Sequence, residues 1–99
     1  MKTLNPNTKT TRRAFPLGRV VATPGALAEI AAEDISAALS RHSECDWGEC
    51  GTEDWQENDF ALDNDLRLFS VYRDGNNVKF WIITEADRSS TTILLPEDY

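Results

Sequence analysis

The chain changes its hydrophobic period once, and that change limits the fold more than any other feature. From Leu66 onward, three runs (66–73, 78–85 and 91–95) are rich in β-branched and aromatic residues, which suit a pleated, half-buried surface. Asp74-Gly75-Asn76-Asn77 separates the first two. These residue types tolerate positive φ and bond their own backbone, so they turn a hairpin. Residues 86–90 make a second reversal. Upstream of Leu66 the apolar spacing is helical. The expected class is therefore α+β: two or three N-terminal helices packed on a C-terminal three-stranded antiparallel β-meander. Arg19 to Ala22, with Val20 and Val21, has room for a short extra N-terminal strand.

The helices have recognisable starts. Thr23 is placed to cap free N–H groups, and Pro24 fits the first helical position. Leu27, Ile30 and Ala31 share a face of the helix that follows. Asp34 is a candidate cap for a second helix, in which Ile35, Ala38, Leu39 and His42 recur at i, i+3, i+4 and i+7. No Gly or Pro divides the two, so the sequence leaves one continuous helix open as the alternative. Residues 44–51 read as a loop. Thr52 caps a third helix running to about Asp63, with Glu53 and Asp54 at its positive end and Trp55 and Leu62 turned inward. Residues 1–14 are polar and basic and read as a flexible tail before a single domain, 15–99.

At 99 residues, with 40% hydrophobic and 27% charged residues, the chain has the balance of one globular domain. It has no apolar run of the roughly 20 residues that span a bilayer. Its start lacks an apolar signal region. The expected compartment is the cytoplasm, with Cys45 and Cys50 reduced.

Charge is unevenly distributed. The net charge is -7. Residues 1–28 hold Lys2, Lys9, Arg12, Arg13 and Arg19 and no acid. Residues 44–65 hold Glu44, Asp46, Glu49, Glu53, Asp54, Glu57, Asp59, Asp63 and Asp65 and no Lys or Arg. Such a segment repels nucleic acid and attracts basic surfaces. A solvated helix face is the plainer account of it.

The strands are apolar on both sides. If Arg73 pairs with Val78, then Phe69, Val71, Phe80 and Ile82 share one face. Leu68, Tyr72, Trp81 and Ile83 share the other. The helices cover one face; the second needs the N-terminal segment, a second copy or a partner. Leu68, Tyr72, Trp81 and Ile83 are thus a candidate homodimer face.

Few motifs carry chemistry. His42, Cys45 and Cys50 form H-x2-C-x4-C, whose spacing matches no standard zinc site, so no metal or cofactor is expected. His42 is the sole histidine and hence the first candidate general base. At a helix end it also suits the free carbonyls and the negative dipole. Arg88, beside Glu85 and Asp87, is either a phosphate ligand or a surface ion-pair partner. Trp47 and Trp55 are surrounded by acids and lack the basic neighbours of a single-strand-binding platform.

Several stretches resemble a family of small proteins encoded on bacterial plasmids, integrated elements and phages, labelled plasmid-related or type I restriction endonuclease subunit M. They are 15–27 (FPLGRVVATPGAL), Arg41-His42, Asp46-Trp47-Gly48, 53–58 (EDWQEN) and 81–99 (WIITEADRSSTTILLPEDY). The chain departs from the family at Ser43-Glu44-Cys45 and at Cys50. The resemblance implies a mobile-element protein and carries no catalytic residues with it.

Two functions are expected from these observations. The first is a non-enzymatic acidic interaction protein, a nucleic-acid mimic of the anti-restriction or anti-CRISPR type. It would present Glu44, Asp46, Glu49, Glu53, Asp54, Glu57, Asp59 and Asp63 to the basic nucleic-acid-binding surface of a host or defence protein. The alternative is a small RNase with the layout of barnase and RelE, using His42 as acid or base and Arg88, Arg73 and Arg41 as phosphate stabilisers.

Overall fold

The computed structural model describes residues 14–99; apart from Ala14, the expected tail lies outside them. In chain order the elements are β1 (Arg19–Ala22), α1 (Pro24–Glu29), α2 (Ala32–Ser43), α3 (Thr52–Asp63), β2 (Leu68–Arg73), β3 (Lys79–Thr84), β4 (Ser90–Leu94) and a 3-10 turn (Pro96–Asp98). The class is α+β, with three helices preceding the meander. The expected three-stranded sheet is extended to four strands in the order β1-β4-β3-β2. β2, β3 and β4 are antiparallel neighbours, and β1 joins β4 in parallel. Gly18 makes this possible. At φ 67 it turns the chain alongside the Arg88 and Ser89 carbonyls, where a Cβ would overlap them. The Arg19 N–H then bonds the Ser89 carbonyl at 3.0 Å, and the Thr23 N–H bonds that of Ile93 at 3.0 Å.

Helix boundaries follow local chemistry. The Thr23 hydroxyl accepts from the Ala26 N–H at 3.1 Å and donates to Asp98 at 2.6 Å, so one residue caps α1 and holds the C-terminal turn. α1 ends where Ile30 turns extended (φ -107, ψ 129), which separates it from α2. The expected caps of the other two helices are displaced. Ala31 occupies the N-cap of α2, and Asp34 lies in its first turn, accepting from the Gly75 N–H of the β2–β3 turn at 3.2 Å. Gly51, not Thr52, is the N-cap of α3.

The hairpin register differs by one residue from the expected one, and this changes the faces. Arg73 pairs with Lys79, not Val78. Asp74 closes a longer turn: its carboxylate accepts from the Asn76 N–H at 2.9 Å and the Val78 N–H at 2.8 Å, with Asn77 at φ 67. Leu68, Ser70 and Tyr72 therefore share a face with Phe80, Ile82 and Thr84, while Phe69 and Val71 share the opposite one with Trp81 and Ile83. The candidate dimer face is corrected accordingly. Leu68 and Tyr72 are buried under the helices, across the sheet from Trp81 and Ile83. On that opposite side Trp81 meets Phe69 edge-on at 5.0 Å and Tyr99 at 5.8 Å, so the C-terminus covers part of it.

Under the helices are two apolar clusters. One gathers Ala26, Ile30, Ala38, Tyr72, Phe80, Ile82, Ile93 and Leu95; the other gathers Phe15, Trp47, Ala61 and Leu68. α2 contributes Ala38 and His42 as fully buried residues, with Ile35 and Leu39 half-buried beside them, as their spacing predicts. Trp55 and Leu62 of α3 pack half-buried on the second cluster. No helix among the described residues is long and apolar enough to cross a membrane.

Candidate functional site

β2 is a sheet edge, and its exposed side is closed in an unusual way. The Val71 N–H bonds the Trp47 carbonyl at 3.2 Å, and the Val71 carbonyl accepts from the Glu49 N–H at 2.7 Å. Two residues earlier, the buried Asn58 side chain takes the place of a strand. Its Nδ2 donates to the Phe69 carbonyl at 2.7 Å, and its Oδ1 accepts from the Phe69 N–H at 3.0 Å. These contacts satisfy an edge otherwise open to another chain. They also lay α3 along β2 and fix which side of α3 faces outward.

That outward side carries Glu53, Asp54 and Glu57, all exposed. None of the three forms an ion pair among the described residues. Between them and β2 runs an open groove of about 560 Å³. Phe60, Leu66 and Phe69 line its apolar part, and Arg67 lies at its margin. Phe60 is 61% and Leu66 47% exposed. Arg67 is engaged elsewhere, with Glu85 at 3.2 Å and the Tyr99 hydroxyl at 3.3 Å.

The remaining acids of the expected set divide. Asp46 pairs with Arg41 at 2.8 Å and accepts from the Gly48 N–H at 3.1 Å. The Arg41 guanidinium holds the Asp46 carboxyl below its usual range. Glu49 pairs with Arg73 at 2.9 Å. Asp59 accepts from the indole N–H of the buried Trp47 at 3.0 Å. Glu44 and Asp63 are exposed. Three of the eight thus serve the fold directly.

His42 lies inside the protein, with no exposed surface. A chain of bonds fixes its tautomer. The Thr91 hydroxyl donates to the Leu17 carbonyl at 2.7 Å, so its oxygen is left to accept from Thr84, 2.7 Å away. With its proton so used, the Thr84 oxygen accepts from His42 Nε2–H at 2.8 Å. His42 Nδ1 then accepts from the Ser70 hydroxyl at 2.6 Å. Phe15 and Trp47 meet the ring edge-on at 5.1 and 5.7 Å. Burial, reinforced by the Arg88 charge, lowers the His42 pKa to about 3. A neutral, fully bonded imidazole in this position links helix to sheet and has no contact with solvent.

The arginines of the RNase alternative have separate engagements. Arg88, at φ 61, donates to the Leu66, Glu85, Ala86 and Ala61 carbonyls at 2.7 to 3.2 Å. It forms no ion pair among the described residues and ties the β3–β4 turn to the end of α3. Arg41 lies 4.9 Å over the Tyr72 ring, and Arg73 also donates to the Asn77 carbonyl at 3.3 Å. His42 is thus sealed from the surface on which these groups lie. The Cys45 N–H bonds the His42 carbonyl at 3.0 Å. Cys50 donates to the Phe69 carbonyl at 3.4 Å, burial keeps its thiol pKa up, and no metal-ligand cluster occurs among the described residues.

Sequence reasoning missed the groove and the Asn58 clamp. Phe60 gave a signal, as a large apolar residue out of step with the inward Trp55, Asn58 and Leu62. The chain matches no protein-family model, no curated protein and no solved structure.

Proposed function

We propose that this chain is a non-enzymatic acidic interaction protein that acts as a nucleic-acid mimic of the anti-restriction or anti-CRISPR type. Its partner is a host or defence protein with a basic nucleic-acid-binding surface. The observation that carries this reading is the outward face of α3. Glu53, Asp54 and Glu57 project there without ion-pair partners among the described residues. Glu53 and Glu57 are one turn apart, about 6 Å along the axis, a row of charge that Lys and Arg side chains can meet together. Glu44 and Asp63 add exposed negative charge at the two margins of the same segment. Carboxylates so placed accelerate encounter with a basic surface and make it sensitive to salt.

The test is capture from a bacterial lysate by the tagged chain. Bound proteins are identified and then challenged with duplex DNA and with rising salt. The expected result is a nucleic-acid-binding protein displaced by both, and not captured by the variant Glu53→Lys, Asp54→Lys, Glu57→Lys. Equal capture by the variant would overturn the proposal.

A further inference from the structure

We infer that the groove between α3 and β2 receives a basic amphipathic segment of the partner, with apolar anchors inside and Lys or Arg along the rim. This rests on the interaction reading above and makes it more specific. A purely electrostatic mimic needs carboxylates alone, yet here they border an apolar trough. Phe60 and Leu66 expose 61% and 47% of their surface to water, side by side with Phe69 in one groove of about 560 Å³. Contiguous apolar surface of this kind, rimmed by polar groups, marks a contact site.

The floor is firm. Phe69 is held on its backbone by both arms of the Asn58 amide and on its ring by Trp81 at 5.0 Å. A preformed floor reduces the ordering cost of binding. Charge selects the occupant. Glu53, Asp54 and Glu57 border the groove, and its one cation, Arg67, is neutralised by Glu85 at 3.2 Å. An acidic or neutral apolar segment would leave three carboxylates facing no opposite charge. A basic one pairs with them while its apolar stripe covers Phe60 and Leu66, the helix-in-groove mode of recognition.

The experiment is calorimetric titration of the full chain with two synthetic peptides of about 16 residues. One is a basic amphipathic helix; the other has the same residues shuffled so that no apolar face forms. The amphipathic peptide is expected to bind at least about tenfold more tightly. Phe60→Ser and Leu66→Ser, at exposed positions that spare the core, should each remove most of that advantage and leave the shuffled peptide unaffected. Glu53→Gln, Asp54→Asn and Glu57→Gln together should weaken both peptides and flatten the salt dependence.

Equal binding of the two peptides, or binding unchanged by Phe60→Ser, would overturn the groove assignment and leave the electrostatic proposal standing. No binding of either peptide would overturn it as well. A dimer by light scattering that Phe60→Ser dissociates would make a second copy the occupant instead. Tighter peptide binding by a chain with Lys9, Arg12 and Arg13 changed to Ser would make the occupant the chain's own basic start. Loss of lysate capture on charge reversal, whatever the peptides do, reports on the function and not on the groove.

Discussion

At the scale of single residues, His42 is the clearest case of a side chain whose chemistry is spent on stability. Its folded pKa lies near 3, against 6.5 for the free side chain. As pH falls below about 6.5 the unfolded chain takes up a proton that the folded chain refuses until about pH 3. Stability from this residue is therefore complete above 6.5 and declines by about 1.4 kcal/mol per pH unit through that window. The Asp46 contribution has the same sign but begins lower, below the ordinary carboxylate value of 3.8. Urea unfolding between about pH 6.5 and 5 should isolate the histidine slope, and His42→Gln should flatten it. An unchanged slope in the variant would show that the titrating group is another. His42→Ala, which leaves a hole, a Ser70 hydroxyl without its acceptor and a Thr84 oxygen without its donor, should cost about 3 kcal/mol at neutral pH. In the sequence, His42 was correctly placed on the inward stripe of its helix. The hydroxyls that bond it, Ser70 and Thr84, and Thr91, which orients Thr84, come from three separate strands, and spacing along the chain does not reveal that convergence.

At the scale of elements, the antiparallel strands and the helical segments before them were legible from their periodic apolar faces, while the break between α1 and α2, left open in the sequence, is made by Ile30 turning extended. The failures are equally physical. The hairpin register depended on whether Asp74 caps the turn, and a one-residue difference exchanges the faces of β2. β1 was legible as an apolar pair, but its parallel docking on β4 depends on Gly18, whose positive φ is a tertiary matter. The α3–β2 junction was not legible, since an asparagine side chain acting as a strand has no sequence signature. Asn58→Ala should leave the Phe69 N–H without a partner and its carbonyl with only the weaker Cys50 thiol donor, and cost about 2 kcal/mol by chemical denaturation. A loss within about 0.5 kcal/mol, typical of surface positions, would show that solvent replaces the clamp. Arg88→Ala, which releases the Glu85 and Ala86 carbonyls of the β3–β4 turn, the Ala61 carbonyl near the end of α3 and the Leu66 carbonyl between α3 and β2, should cost about 2 kcal/mol. A change in nucleic-acid affinity without that loss would contradict its structural role. Arg41-His42 and Asp46-Trp47-Gly48, prominent in the sequence, likewise serve the fold. Gly48, at φ 72, lies so close to the Val71 carbonyl and the Tyr72 ring that any side chain would collide with them.

At the scale of the whole molecule, the acidic segment read from the sequence as one block becomes two populations. Asp46, Glu49 and Asp59 are drawn into contacts with Arg41, Arg73 and Trp47. Glu53, Asp54 and Glu57 are left facing outward from α3. A net charge of -7 would favour basic partners, and in the proposed function these three residues are where such a partner binds. The most direct test is the affinity of the captured partner, measured from about 50 to 300 mM salt, for the wild-type chain and for Glu53→Gln, Asp54→Asn, Glu57→Gln, with unfolding curves confirming equal stability. Affinity for the wild type should fall steeply with salt, and the variant should bind at least about tenfold more weakly at low salt with a shallower slope. Identical affinities and slopes for the two chains would contradict the assignment of this face as the site of interaction.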